Sequence, residues 1–216
     1  MLIETSQGAK KKECFLIPLD SDEGLMKHHV ITLTKGKGSV YNIGLATATG
    51  DPTRLWVCLG PLEVGGNYVS YPGQKTGSMS LCFPSLPTTS ERNLKIISTI
   101  DYMVAETFQR QFENKRCGEI FMTKETLRMI FKTSPREGRL TVKAVPDAVD
   151  IFDSNGKLLK EGRIDSLYLI GKSVNVVAEP MFIYVSRDMA VIHWRLRQLR
   201  LLSEIDEDGA DSDWSL

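Results

Sequence analysis

No run of apolar residues in this 216-residue chain is long enough to span a bilayer, so no membrane partner is expected. Lys10, Lys11 and Lys12 near the start have no apolar segment behind them and do not read as a secretory leader. Cysteine is sparse. Cys14, Cys58, Cys82 and Cys117 lie too far apart for a Cys-x-x-Cys pair, which argues against a zinc knuckle and for reduced thiols in an intracellular protein. Histidine is sparser still: His28 and His29 are adjacent, so their side chains diverge on a strand, and His193 stands alone. No metal-ligand spacing emerges from these residues. Phosphate-loop, nucleophile-elbow, zinc-protease and EF-hand motifs are all missing, and no two carboxylates form a recognisable acid/base couple. An enzyme is therefore the least supported class, and no cofactor is expected. The chain also shows no internal repeat.

What is present is ordinary in amount and uneven in placement. Hydrophobic residues at 42% and charged residues at 25% fit a globular chain of one domain with insertions. The formal net charge of zero hides a split. Glu204, Asp206, Glu207, Asp208, Asp211 and Asp213 fall in a stretch without a base, which leaves 27 basic against 21 acidic residues before it, a net of +6. A basic body points to a polyanionic partner, with an ordinary surface and a solubilising tail as the bland alternative.

Along the chain, strands are expected at 30–34, 40–45 and 54–59, the last ended by Gly60-Pro61, with a turn at 35–39. Residues 64–87, rich in Gly, Ser and Pro, read as a long loop or irregular hairpin. Ser90 is the expected N-cap of a helix reaching Lys115, with Leu94, Ile97, Val104, Phe108 and Phe112 on one stripe that Asp101 interrupts. A shorter helix follows Thr123 and ends before Pro135. Strands return at 140–145 and 167–177, the latter bent at Gly171, with a turn at 153–156 between them. A terminal hairpin joins 182–185 to 189–202 through Ser186-Arg-Asp188. Strands that outnumber helices, with one long helix between two strand groups, fit a mainly β protein: an OB fold, a five-stranded Greek-key barrel with insertions. A β-sandwich with a helical insertion fits nearly as well. The expected division is a body over residues 1–203 and an acidic tail over 204–216 that is too polar to pack and should be disordered.

Val191-Ile-His-Trp-Arg-Leu-Arg-Gln-Leu-Arg-Leu-Leu202 carries the most information. On a strand, His193, Arg195 and Arg197 share one face and Ile192, Trp194 and Leu196 the other, with Arg200 away from the first set. Such a basic ridge can track a phosphate backbone while aromatics stack on bases; a half-buried strand with a solvated charged face is the commoner structure. Lys132, Arg136, Arg139 and Lys143 are further basic candidates. Tyr68 and Tyr71 are the preferred stacking candidates because their Gly/Ser/Pro-rich surroundings bury little, ahead of Trp56 and Phe83. In the tail, Trp214 follows Asp206, Glu207, Asp208, Asp211 and Asp213, and an indole is unneeded in a mere solubiliser.

Four segments carry a resemblance to a known family: Ile151-Phe-Asp-Ser-Asn-Gly156, Ile170-Gly-Lys-Ser-Val-Asn-Val176, Glu179-Pro-Met-Phe-Ile-Tyr184 and 190–202. Together with the acidic, aromatic-tipped tail, these segments, roughly the last third of this chain, resemble the C-terminal half of the single-stranded-DNA-binding proteins of short-tailed phages and their relatives in large DNA viruses of eukaryotes. The resemblance implies an OB barrel and single-stranded DNA as partner, without strong sequence preference. It implies roles in replication, recombination and repair, a homodimer formed partly through the tail, and a tail that recruits DNA polymerase and helicase or primase. The compartment would be intracellular, host cytoplasm or nucleus if the source is viral. Tails of that family tend to end on phenylalanine, whereas here Trp214 is followed by Ser215 and Leu216. The rival expectation is a viral capsid or scaffold subunit, which would explain strands and loops but not the charge split.

Overall fold

The computed structural model describes residues 2–4, 13–18, 30–46, 52–70, 73–84, 87–117, 120–159 and 163–203, with only the backbone at 2–4, 13–14 and 87–89. Tyr71, the His28–His29 pair and the tail from Glu204 lie outside the described residues.

The first strands are β1 (Leu2–Glu4), β2 (Glu13–Ile17), β3 (Ile31–Lys35), β4 (Val40–Leu45), β5 (Arg54–Val69) and β6 (Gly77–Cys82). Helix α1 (Pro87–Phe112), β7 (Lys115–Cys117), β8 (Ile120–Met122), α2 (Lys124–Ile130) and β9 (Phe131–Lys132) follow. The chain continues through β10 (Arg139–Ala144), a 3-10 turn at Pro146–Ala148, β11 (Asp150–Phe152), β12 (Ser173–Val185) and β13 (Ala190–Leu201). Five strands close a barrel in the order β5-β6-β10-β13-β12 and back to β5. Every neighbouring pair is antiparallel except β10 with β13. Counted along the barrel, that is first-second-third-fifth-fourth, consistent with an OB fold and not with a two-sheet sandwich.

Alternation in the sequence sets the inside of the barrel. Met79 and Leu81 of β6, Leu140, Val142 and Ala144 of β10, and Ile192, Trp194 and Leu196 of β13 are buried in one core. Helix α1 lays Ile96, Ile97, Ile100, Val104 and Phe108 against the same core. The β3–β4 hairpin extends the sheet from β12.

Four expectations are corrected. The strand beginning at Arg54 does not stop at Gly60-Pro61. Asn93 of α1 accepts from the Gly60 amide at 3.3 Å and donates to its carbonyl at 3.4 Å, so the kink leaves no orphaned backbone group there. On the facing strand the register slips at Asn175, and a Cβ on Gly60 would lie 2.0 Å from the Asn175 Oδ1. Ser90 is not an N-cap: α1 begins at Pro87, and the buried Ser90 hydroxyl donates back to the Pro84 carbonyl. Proline suits a first helical turn, where its missing N–H has no intrahelical acceptor to lose. Residues 167–172 are not strand but a looped approach to β12, with Gly171 at φ 74° and the amides of Leu169 and Ile170 donating to Asn67 Oδ1. Finally, Arg200 does not lie on the inward face. Gln198 pairs with Val177 and Leu196 with Ala178, so Arg197 is an extra residue in the ladder. This bulge flips the alternation: the inward set runs Ile192, Trp194, Leu196, Leu199. Arg200 faces outward and donates to the Ser154 carbonyl at 2.8 Å.

The second helix follows expectation, with Thr123 capping it by accepting from the Thr126 amide at 3.1 Å. The 153–156 turn also forms, with Asp153 Oδ1 accepting from the amides of Asn155 and Lys157.

Candidate nucleic-acid interface

The outward face of β6 and β10 carries Ser78, Ser80 and Cys82 beside Arg139, Thr141 and Lys143, and neither strand contains an acid. Across the parallel β10–β13 junction, Lys143 stands in register with Arg195. The hairpin leading into β10 adds a second basic pair. Glu137 (φ 50°) and Gly138 (φ 71°) form a tight two-residue turn, and Arg136 and Arg139 exchange backbone hydrogen bonds of 2.9 and 2.8 Å. Two guanidinium-bearing residues are thus held directly opposite each other, an arrangement that costs stability unless an anion comes between them.

No carboxylate among the described residues pairs with Arg136, Arg139, Lys143 or Arg195. Glu179 stands opposite Arg195 on β12, yet its carboxylate is taken by Arg197, through Nη2 and through Nε at 2.6 Å, and it lies 3.8 Å from Arg54. The Arg197 guanidinium also sits 5.8 Å from the centre of the Trp56 ring. Of the two sequence-predicted arginines on this strand, Arg197 is therefore mostly covered and neutralised, whereas Arg195 is half-buried and makes no ion pair. Burial first, and then the neighbouring Arg197, lowers the Arg195 pKa, against the opposing pull of Glu179.

Beside the charges lies an aromatic group that the sequence reading missed. Phe182 of β12 stacks on His193 of β13 with centroids 4.7 Å apart and planes 25° apart, and Tyr184 meets the same imidazole edge-on at 6.4 Å. Burial, then the nearby Lys143, lowers the His193 pKa, so the ring is neutral at pH 7 and serves as a flat surface more than a charge. The signal was available. A hairpin turning at 186–188 brings Phe182 level with His193.

A cavity of about 490 Å3 opens between the arginine hairpin and β13. Arg136, Arg139 and Lys143 line it together with Thr141, Met189 and His193. Its floor is anchored from below: Trp194 Nε1 donates to Ser134 Oγ at 3.2 Å, and the Ser134 amide donates to Asp101 of α1. Burial raises the Asp101 pKa to about 7, against the opposing pull of the Ser134 hydrogen bonds. The interruption in the helical stripe is thus the mooring of the hairpin.

The structure brings Arg136, Arg139, Lys143 and Arg195 together. Lys132, on β9 beside Val191, is exposed next to this group and reaches the Met129 carbonyl at 3.4 Å. Tyr68 is set apart: its ring packs against the core and lies over Gly77, where a Cβ would come 2.4 Å from the ring. A glycine opposite made room for burial in a segment expected to bury little. Trp56 is likewise buried, in a small cluster with Leu16, Cys58 and Val177.

No family model and no curated protein matches the chain. Among solved structures it is similar to gp2.5, a single-stranded DNA binding protein encoded by bacteriophage T7, at 10% identity and a TM-score of 0.48, over 76% of this chain and 98% of that one. It is also similar to the single-stranded DNA-binding protein from bacteriophage Enc34, at 13% identity and a TM-score of 0.39, over 84% of this chain and 96% of that one. The complex of the Enc34 protein with single-stranded DNA aligns at 15% identity and a TM-score of 0.33, over 82% of this chain and 97% of that one.

Proposed function

We propose that this chain binds single-stranded DNA across the outward face of β6, β10 and β13 and makes no covalent change to it. The observation that carries the reading is the uncompensated row Arg136, Arg139, Lys143 and Arg195 beside the Phe182–His193 stack. Cations in a row take phosphates, and exposed ring faces take unpaired bases, which a duplex keeps stacked. The second and third barrel strands are also the face on which OB barrels hold oligonucleotides. The biological setting that fits is the coating of single strands during replication, recombination and repair. The tail from Glu204, with Asp206, Glu207, Asp208, Asp211, Asp213 and Trp214, would recruit polymerase and helicase or primase, and would contribute to a homodimer. The test is a gel shift of labelled oligo(dT) against duplex of equal length. Preferential retardation of the single strand is expected; equal affinity for duplex would refute the reading.

A further inference from the structure

We propose that the cavity under the arginine hairpin is a discrete subsite for one nucleotide unit, with its phosphate on Arg136 and Arg139 and its base turned out of the stack against Met189 and Val191. The inference rests on the single-strand reading of this face and adds to it a pocket that captures a base individually.

The recess exists because the chain leaves β13 and comes back. Strand β9 pairs with Ala190 and Val191, and β10 rejoins at Trp194 and Arg195. Between them, Ile192 and His193 have no strand partner on that side among the described residues. The ladder is interrupted where the cavity lies, which leaves a gap between the two strands that flank this side of β13. The space is about 490 Å3, within the range of roughly 300–1,000 Å3 typical of small-ligand pockets and far more than one phosphate group fills.

The lining is two-sided. Arg136, Arg139 and Lys143 supply charge on the hairpin side, while Met189, Val191 and Pro135 supply apolar wall. That division matches a nucleotide, which is anionic at one end and a flat, mostly apolar ring with a hydrogen-bonding edge at the other. Thr141 lies exposed between Arg139 and Lys143 and adds a hydroxyl to the middle of the recess. The floor is pre-organised, since Ser134 is fixed by Trp194 on one side and Asp101 on the other.

The experiment titrates the full chain with dTMP, 2-deoxyribose 5-phosphate and inorganic phosphate, following the Trp194 indole N–H by NMR, and measures oligo(dT) affinity in parallel. Binding of dTMP at least about tenfold tighter than of deoxyribose phosphate is expected, because a base contact contributes at that scale. Thr141→Trp fills the recess and keeps every cation. It should abolish the preference for dTMP over deoxyribose phosphate. Met189→Ala, which only thins the apolar wall, should weaken dTMP and not phosphate. Equal binding of all three small ligands, or dTMP affinity unaffected by both substitutions, would overturn the nucleotide pocket and leave the single-strand interface standing. Wild-type protein that binds dTMP but not oligo(dT) would instead overturn the interface, and with it the pocket's place on a strand.

Discussion

Replacing Arg136 and Arg139 together by alanine isolates the electrostatic part of the interface. Four cations on this face lack a carboxylate among the described residues: Arg136, Arg139, Lys143 and Arg195. Each phosphate neutralised on a single strand contributes about −0.7 to the slope of log K against log salt, so four predict a slope of about −2.8. Raising salt from about 50 to about 200 mM should then weaken binding about 50-fold. The double variant keeps two cations, with a slope of about −1.4 and a loss of only about 7-fold over the same range. Fold stability should hold or rise slightly, because the substitution removes like charges held opposite each other in the hairpin. The assay is fluorescence anisotropy of labelled oligo(dT) across a salt series, with urea denaturation as the stability control. Arg197→Ala supplies the contrast: its loss frees the Glu179 carboxylate to pair with Arg195 opposite it, so the slope should fall by one contact only, to about −2.1. An unchanged slope in the Arg136/Arg139 variant, in protein that is still folded, would refute the placement of the phosphate path.

Three further perturbations follow from particular residues. Asp101 has a folded pKa raised to about 7, so the folded state holds its proton more tightly than the unfolded state; its contribution is most favourable at low pH and is lost as pH rises from about 4 through about 7. Asp101→Asn keeps an acceptor for the Ser134 amide and removes the titration, so urea midpoints of the variant should gain on wild type between pH 5 and pH 8; parallel midpoints would refute it. Gly77→Ala should destabilise by about 1–3 kcal/mol, since its Cβ would meet the Tyr68 ring at 2.4 Å and the Val69 carbonyl at 2.5 Å; an unshifted urea midpoint would contradict that packing. Deleting 204–216 should tighten oligo(dT) binding at low salt and matter less as the Debye length falls to about 8 Å, because six acids no longer compete for the basic face; weaker binding on deletion would rule competition out.

Much of the barrel was legible because its strands alternate cleanly. Val40–Leu45, Leu140–Ala144 and the terminal hairpin read directly from period-two patterning, and so did the face of Arg195. Departures occur where a long-range partner rewrites a local rule. Gly60-Pro61 is a stop signal in sequence, and only Asn93, 33 residues away, makes it a continuation. The bulge at Arg197 has no local marker, yet it reverses the face of Arg200. Asp101 looked like a defect in an apolar stripe, since its partner Ser134 is equally distant in the chain. Arg195 and Arg197 are equivalent in spacing; a single carboxylate from β12 separates their roles.

Strand β13 pairs with β9, β10, β11 and β12, and it follows all the other described strands in the chain. Until it arrives, four strands have an unfilled edge and the barrel cannot close. Closure therefore waits on non-local pairings, those of β13 with β9, β10 and β11 and those of β12 with β4 and β5, which places the domain among the slow, topologically complex folders. The same bottleneck divides the effects of shortening the chain: a cut after residue 203 leaves every described ladder intact, whereas a cut before residue 190 removes the one strand that four others share. A nascent or truncated chain in that second state would present open strand edges, and aggregation would be its characteristic failure.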